Sequence, residues 1–297
     1  MTKLAFVAGA AHFDVVAREQ ETKPERGQQT PFLDKPGTVT FTLGGAGCNL
    51  AVDLVRLGLG ARFFTAMGAG PYEDLVRRAL QDAGVEPRIE TVAGMPPGLF
   101  SAHLDAHGEL LDSITATPVQ YHRFSAAAIR EAMQGAVVAI IDTNLSGATL
   151  DTMVAVANSL KIPIYVLSAA DVKTPRVLQI KGQMAGLFLN RYEHRYLVQA
   201  CFPPHTRYEE VAHALRTTLC LTRDADGTAI VTPASVEVLP APAKPFRGNV
   251  LGAGDALAAG VVYYREIHKD PWSTAVRKAT ELAREILGRD GCNMATQ

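Results

Sequence analysis

The sequence lacks the features that mark nucleic-acid-binding and membrane proteins. Its formal net charge is −1 over 297 residues, and it has no long basic run, so the positive surface of a nucleic-acid-binding protein is not indicated. No apolar run reaches the roughly 20 residues that a membrane-spanning helix needs. We therefore expect neither nucleic-acid nor membrane partners, and we expect a cytoplasmic location.

Cysteine is also sparse. The four cysteines, Cys48, Cys201, Cys220 and Cys292, lie far apart and form no CxxC pair, so zinc and redox motifs are unsupported. Free thiols in a reducing cytoplasm are the simplest interpretation. The chain likewise contains no G-x-x-x-x-G-K-[ST] and no G-x-S-x-G, which excludes a Walker-type phosphate loop and leaves a hydrolase nucleophile elbow unsupported.

What the sequence does contain is a regular alternation of strand-like and helix-like segments. Hydrophobic residues make up 47% of the chain, which is enough for a full core. Strands that alternate with helices predict a mostly parallel sheet in an α/β fold. The predicted strands include residues 4–10, 61–68, 136–144, 162–169 and 184–190, and the predicted helices lie near 49–59, 72–85, 148–161, 207–219, 253–267 and 272–287.

Two polar regions do not fit this alternation. Residues 20–42 and 98–114 resemble hairpins, the second around a turn at residues 105–108. Such hairpins would form a small β lid over one end of the sheet. No repeat and no linker divides the chain, so we expect a single domain over residues 1–297, with lid segments near 15–42 and 95–116.

Two glycine-rich turns stand where an open α/β sheet binds its ligands, between a strand and the helix that follows. They are "GGAGCN" (44–49) and "GAGD" (252–255). In the second, Gly252 and Gly254 let the backbone approach an anion, and the next helix aims free N–H groups at it. Asp255 could then accept a proton from an alcohol. The alternative interpretation is a small-residue turn that Asp255 caps.

Other candidate residues also have a structural interpretation. Asp14 could accept hydrogen bonds from two hydroxyl groups of a polyol or could cap a strand end. Glu193 could be a solvated carboxylate at a helix start, and "RYEHRYL" (191–197) reads as the solvated face of that helix. His103 and His107 are expected to be exposed histidines of the lid. Lys173 is interpreted as a surface lysine.

The order of motifs along the chain resembles that of the PfkB family of carbohydrate kinases, the ribokinase-like kinases. "GGAGCNLAVDLVRLG" is similar to the N-terminal signature of the family, and "GNVLGAGDALAAG" is similar to its C-terminal signature. Between them, "NRYE" (190–193) resembles an Asn-x-x-Glu motif, "TRDADG" (222–227) a nucleotide-binding turn, and "DAHGEL" a lid turn. The resemblance implies a three-layer ribokinase-like sandwich with a mostly parallel central sheet and a small β-hairpin lid.

The resemblance also implies an activity. The chain would be an ATP-dependent kinase that phosphorylates a primary hydroxyl of a small sugar or nucleoside, with Asp255 as the catalytic base. The alternative is a catalytically weakened or inactive relative that acts as a ligand-binding or regulatory protein. The implied anion hole is formed by Gly252, Ala253 and Gly254, and the implied substrate-binding residues are Asp14, Gly44, Gly45 and Asn49.

On the donor side, the resemblance implies that Thr222 and Gly227 lie by the nucleotide. It also implies that Asn190 and Glu193 organise Mg²⁺ through water. The lid strands would pair between subunits in a homodimer, as in some members of the family. "SAADVK" (168–173) is weakly similar to the pseudouridine-kinase branch.

The sequence departs from the family pattern at several positions. Asn249, Val250 and Leu251 precede the glycines where the family has an acidic and hydroxylic segment. Because Asn249 offers only a neutral carbonyl, potassium activation is not expected. Asp224 replaces a glycine of the nucleotide turn, and a carboxylate there would repel phosphates unless it points away or binds them through Mg²⁺. "MGAGPYED" (67–74) has Gly70 and Glu73 where the family has Asp and Gly.

Overall fold

The computed structural model describes residues 2–20, 35–242, 252–289 and 294–295, with no side-chain description for residues 110, 284–289 and 294–295. The described residues form fourteen strands in two sheets, with helices against the larger sheet. The strands are β1 Leu4–Ala8, β2 His12–Glu19, β3 Gly37–Gly44, β4 Gly60–Gly68, β5 Val85–Val92, β6 Leu99–Leu104, β7 Leu110–Ala116, β8 Ala136–Asp142, β9 Ile164–Leu167, β10 Gly186–Asn190, β11 Leu219–Thr222, β12 Thr228–Val231, β13 Val236–Leu239 and β14 Met294–Ala295.

The larger sheet has nine strands in the order β13-β12-β11-β10-β9-β8-β1-β4-β5. Every pair from β5 to β11 is parallel, and β12 and β13 extend the sheet antiparallel at one edge. The predicted strands therefore align their carboxyl ends at one edge of the sheet, where a parallel sheet binds its ligands.

Helices cover both faces of this sheet. Successive residues of one strand point to opposite faces, so Val7 and Phe6 belong to two separate buried clusters, as do Ile140 and Ile141. The predicted three-layer sandwich is confirmed. The helices are α1 Ala46–Arg56, α2 Pro71–Asp82, α3 Ala126–Ala132, α4 Gly147–Ser159, α5 Arg191–Cys201, α6 Tyr208–Leu215, α7 Ala253–Glu266 and α8 Trp272–Arg289.

The smaller sheet has the order β14-β3-β2-β6-β7. The predicted hairpin at 98–114 is present as the antiparallel pair β6 and β7, whose turn is held by Asp105 Oδ1 accepting the backbone N–H groups of His107 and Glu109. In the centre, β2 pairs antiparallel with β3 and parallel with β6. The predicted lid segment near 15–42 therefore contains most of β2 and β3. Residues 21–34 between these strands lie outside the described residues.

Several elements were not predicted from the sequence, and β2, β5 and α3 illustrate why. β2 has no strict polar–apolar alternation, and pairing on both sides holds it as a strand. β5 contains Pro87 and charged residues, which an edge strand tolerates. α3 has only seven residues, with Ser125 accepting the N–H of Ala128 at its start, and a helix this short depends on packing more than on its own propensity.

Candidate functional site

A cavity of about 630 Å³ lies at the carboxyl ends of the strands of the larger sheet, against the smaller sheet. Its walls come from β2, β6 and β7 of the smaller sheet, from the segments after β7, β8 and β9, from the ends of β10 and β11, and from the starts of α1, α5 and α7. Nine of the twelve residues expected at the site line this cavity, whereas Gly44, Ala253 and Gly227 are not in its lining, and the lining also includes a polar group that was not expected. The lining includes His12, Asp14, Gly45, Asn49, Thr117, Gln120, Asn144, Lys173, Asn190, Glu193, Thr222, Gly252, Gly254 and Asp255.

Asp255 lies in the first turn of α7. Gly252 adopts the left-handed conformation at the start of this helix, with φ of 82°. The first bond of the helix runs from the N–H of Ala256 to the carbonyl oxygen of Gly252 (2.9 Å), so the N–H groups of residues 253–255 precede the helical ladder. Among the described residues outside its own helix, nothing lies within 4 Å of a Cβ built on Gly254. This helix start can therefore admit an anion beside the carboxylate.

The surroundings of Asp255 raise its pKa to about 7. Burial is the largest cause, and the carboxylates of Asp53, Asp142 and Glu193 add to it. The side-chain amide of Asn49 opposes the shift, since its Nδ2 donates a hydrogen bond to Asp255 Oδ2 over 2.8 Å. A carboxylate with a pKa near neutrality can take up a proton from an alcohol and release it afterwards.

Asp14 lies on β2, across the cavity in the smaller sheet, and is only 4% exposed. A Cβ on Gly44 would lie 2.4 Å from Asp14 Oδ2, so this carboxylate depends on a glycine opposite it. Its Oδ1 lies 3.2 Å from His12 Nε2 but has no hydrogen bond within the described part of the chain. A buried acceptor without a partner is rare, and this one lines the cavity, where a ligand hydroxyl could satisfy it.

Asp142 was not identified from the sequence. It is fully buried at the end of β8 and accepts three backbone N–H groups, those of Ala10 (3.1 Å), Gly47 (2.8 Å) and Asn144 (2.8 Å). Burial raises its pKa, and these hydrogen bonds oppose the shift. One carboxylate thus connects the loops after β1 and β8 with the start of α1. A Cβ on Gly9 would lie 2.0 Å from Asp142 Oδ2, which explains a glycine at that position.

Lys173 is not the surface residue that the sequence suggested. It is half-buried and lines the cavity, where its Nζ donates to Asn144 Oδ1 (2.6 Å) and Thr117 Oγ1 (2.9 Å). Burial lowers its pKa, and Asp142 opposes the shift. Nearby, Arg176 donates to Gln120 Oε1 and to the carbonyl oxygens of residues 143–145. The signal that could have identified Lys173 is its place in the segment 168–179 that follows the parallel strand β9.

Asn190 and Glu193 form a capping box at the start of α5. Asn190 Oδ1 accepts the N–H of Glu193, and Glu193 Oε2 accepts the N–H of Asn190 (2.7 Å). Glu193 is 6% exposed and its pKa is raised to about 7, mainly by burial. His194 is buried as well. The interpretation of this segment as a solvated helix face is therefore wrong for both residues.

The cavity residues fit a magnesium ion that is held through water. Among the residues that the structure describes, no three His, Cys, Asp or Glu side chains converge as ligands of a metal ion. Mg²⁺ in phosphate-transfer sites keeps several waters and takes only one or two carboxylates. Glu193 is buried and lines the cavity, so it would supply one such carboxylate.

The nucleotide turn follows β11. Thr222 lines the cavity. Gly227 has φ of 80°, and a Cβ there would lie 2.0 Å from the carbonyl oxygen of Leu239, so only glycine fits. Asp224 adopts φ of 52°, and its carboxylate forms an ion pair with Arg191. Asn249, Val250 and Leu251, where the sequence departs from the family signature, lie outside the described residues.

The lid histidines are exposed as expected, with His103 near Asp112. Glu73, at another departure from the family pattern, is buried and receives hydrogen bonds from Arg77 and Thr91. None of the helices described is both long and apolar enough to cross a membrane.

The three layers, the β lid and the cavity at the strand ends define a ribokinase-like α/β protein. The sequence profile of the pfkB family of carbohydrate kinases matches residues 1–297. The chain belongs to this family.

Individual relatives agree with this assignment. The pseudouridine kinase of Escherichia coli (strain K12) is 27% identical over 271 residues, which are 86% of this chain and 81% of the relative. A carbohydrate kinase from Agrobacterium tumefaciens superposes with a TM-score of 0.77 at 24% identity, covering 98% of this chain and 92% of that one. The Arabidopsis thaliana ribokinase, solved with ribose and ATP, gives 0.76 at 18% identity, covering 98% and 94%. The two structures show a shared fold.

Proposed function

We propose that this protein is an ATP- and Mg²⁺-dependent kinase that phosphorylates a primary hydroxyl of a small sugar or nucleoside. The observation that carries the proposal is the placement of Asp255. Its pKa is raised to about 7, it lies in the first turn of a helix, and Asn49 orients it with a 2.8 Å hydrogen bond. A general base beside a helix N-terminus suits an alcohol that attacks a phosphoryl group.

Different residues of the chain bind the acceptor and the phosphate donor. Asp255 takes the proton of the attacking hydroxyl, and the N–H groups at the start of α7 stabilise the charge that develops on the transferred phosphoryl group. Asp14 binds hydroxyl groups of the acceptor through Oδ1, which accepts no hydrogen bond from the residues that the structure describes. Asn190 and Glu193 would hold Mg²⁺ through its water shell, and the ion would supply positive charge against the phosphates. Thr222, which lines the cavity, and Gly227 in the turn after it would lie by the nucleotide. Potassium activation is not part of the proposal.

We propose further that the acceptor is a nucleoside. Lys173 Nζ has two neutral oxygen partners, from Thr117 and Asn144, while an ammonium group carries three donors. Its remaining N–H suits a carbonyl oxygen of a base. Gln120 also lines the cavity, with an amide group whose oxygen is taken by Arg176 and whose NH₂ donors can face a polar base. The 27% identical pseudouridine kinase supports a pyrimidine nucleoside as the first substrate to test.

The decisive experiment is a phosphorylation screen with Mg·ATP. Ribose, fructose, hexose phosphates, adenosine, uridine and pseudouridine are offered to the wild type and to the Asp255→Asn variant, and the phosphorylated product is identified by mass spectrometry. We expect turnover of a nucleoside, and a loss in the variant of about 10²- to 10⁴-fold in kcat, the usual contribution of a general base. Acceptor binding should remain, because the amide keeps the shape of the carboxylate.

Two results would count against the proposal. Turnover of the Asp255→Asn variant at the rate of the wild type would remove Asp255 from the mechanism. Absence of phosphorylation for every acceptor, with no rise in melting temperature at millimolar Mg·ATP, would favour the alternative function of a ligand-binding or regulatory relative, since a ligand that binds only the native state raises that temperature.

We also propose that the smaller sheet pairs with its counterpart in a second copy of the chain. Asp14, Phe100 and Thr115 are register partners on the face that lines the cavity. The opposite face carries Val39 and Ile114, which are 68% and 75% exposed. Sedimentation should show a dimer that Val39→Lys with Ile114→Lys converts to monomer. A wild-type monomer at micromolar concentration would contradict the pairing.

A further inference from the structure

The nucleotide turn carries two carboxylates that both lie near one cation. Arg191 Nε is 2.8 Å from Asp224 Oδ2, and Arg191 Nη1 is 3.6 Å from Asp226 Oδ2. The aspartates are 58% and 68% exposed at their side chains, so this cluster lies at the surface of the turn. Thr222, two residues before Asp224, lines the cavity.

The backbone fixes this arrangement. β10 and β11 are parallel neighbours in which Asn190 pairs with Thr222, so the first residue of α5 and the turn after β11 emerge side by side. Within the turn, the N–H of Asp226 bonds to the carbonyl of Arg223 (3.0 Å) and the N–H of Gly227 to the carbonyl of Asp224 (3.1 Å). The left-handed conformation of Asp224 is one that aspartate tolerates better than most residues.

The electrostatic consequence concerns the phosphate donor. Two uncompensated carboxylates beside a polyphosphate would repel it, since nearby like charges add to the local potential even at a protein surface. A guanidinium carries a permanent positive charge and presents several donors at once. Arg191 therefore cancels one of the two negative charges and holds both carboxylates toward α5.

We infer that Arg191 is a positioning residue for the phosphate donor, which it serves by neutralising Asp224 and Asp226 and holding them toward α5. The inference rests on the proposed function, because it needs ATP to bind along this turn. The pairing of Asp224 and Asp226 with Arg191 would therefore affect the binding of the phosphate donor and leave the binding of the acceptor unchanged.

The test is a set of four kinetic measurements with Mg·ATP and the acceptor identified by the screen. The proteins are the wild type, Arg191→Met, Asp224→Asn with Asp226→Asn, and the triple variant. Methionine keeps an apolar stem beside Tyr192, whose ring lies 5.2 Å from the Arg191 guanidinium carbon. Asparagine tolerates the left-handed conformation at position 224. Arg207→Met is the matched control, because Arg207 also pairs with a carboxylate, Glu210, at the start of a helix.

We expect Arg191→Met to raise the KM for Mg·ATP about fivefold to tenfold, a size suited to solvent-screened charges. The KM for the acceptor should stay within about twofold of the wild-type value. A general structural defect would instead raise both KM values. The triple variant should return to within about twofold of the wild-type KM for Mg·ATP, because no repelling charge remains. The defect of Arg191→Met should shrink at 0.5 M salt, roughly as screening predicts.

Three outcomes would overturn the inference, and they can be told apart. An unchanged KM for Mg·ATP in Arg191→Met, with an active wild type, removes Arg191 from donor binding and leaves the proposed function intact. A defect that persists in the triple variant shows that Arg191 acts on the phosphates directly. A wild type that neither transfers phosphate nor is stabilised by Mg·ATP contradicts the proposed function, and the inference falls with it.

Discussion

The two sides of the cavity are built by different means. On the side of Asp14 and Lys173, the loops are joined by a fully buried carboxylate, Asp142, which accepts three backbone N–H groups. On the side of Thr222, the turn is held by its own backbone hydrogen bonds and by exposed ion pairs to Arg191. Buried hydrogen bonds lose much when one partner changes, whereas surface ion pairs contribute little to stability. The side of Asp14 and Lys173 is therefore the less tolerant of substitution.

The largest effect should follow from Asp142→Asn. The amide can accept hydrogen bonds through one oxygen only, so at least one of the buried N–H groups of Ala10, Gly47 and Asn144 faces an NH₂ group. We expect the free energy of unfolding, measured in urea, to fall by about 2–3 kcal/mol, the cost of leaving a buried donor without a partner. The KM for the acceptor should rise, and the KM for Mg·ATP should stay close to that of the wild type.

Asp53→Asn is the matched control for that experiment. Asp53 is also buried, but its carboxylate contacts the guanidinium of Arg56 at 3.2 Å, and burial raises its pKa to about 6. Neutralising it should cost less than about 1 kcal/mol, as for a partly exposed ion pair. Equal losses in the two variants, or equal rises of both KM values in Asp142→Asn, would contradict the special role of Asp142.

The next largest effect should be on the pH dependence of catalysis, which the ionisation of Asp255 would control. As a base, Asp255 acts only when it is ionised, so kcat/KM should fall about tenfold per pH unit below its pKa of about 7. In Glu193→Gln the midpoint should move to lower pH, because Glu193 is one of the charges that raise the pKa of Asp255. A flat profile between pH 5.5 and 8 would exclude Asp255 as the base.

The free energy of unfolding should change in the opposite direction to kcat/KM: it should fall as Asp255 loses its proton. The folded state raises the pKa of Asp255 above its ordinary value of 3.8, so it binds the proton more tightly than the unfolded chain does. This contribution is fully present below pH 3.8 and is lost as pH rises through about 7. Relative to Asp255→Asn, the wild type should therefore lose stability across that window, as urea unfolding at several pH values would measure. A constant difference would contradict the raised pKa.

The smallest effect should follow from Lys173→Met. The thioether side chain fills similar space but donates no hydrogen bond, so one donor to the acceptor is lost. We expect the KM of a nucleoside acceptor to rise about tenfold, the loss of one charge-assisted hydrogen bond, with kcat and the KM for Mg·ATP little changed. Steady-state kinetics measures this. An unchanged KM for a nucleoside, or an equal rise for ribose, would show that Lys173 does not contact the base.

The sequence predicted the parallel sheet and most of its helices because their apolar runs and turn residues are local signals. It also predicted that the turns with Gly44 and Gly252 lie at one end of the sheet. Gly45 of the first turn and Gly252 of the second both line the cavity there. It did not reveal Asp142, a carboxylate at the end of an apolar strand with no motif around it. It assigned Lys173 to the surface, because exposure is decided by elements distant in the chain. The catalytic and binding roles of the site residues stay predictions.

The sequence by itself determined most of the order of strands and helices, the two glycine-rich turns at the strand ends, and the resemblance to the family. These follow from local backbone preferences and from the periodicity of apolar residues, which each segment carries within itself. Only the tertiary structure decided the ionisation of Asp255, the pairing of Asp224 with Arg191, and the burial of Asp142 and Glu193. Each depends on charges and on the exclusion of water by elements far apart in the chain, and electrostatic energies change with that environment more than with residue type.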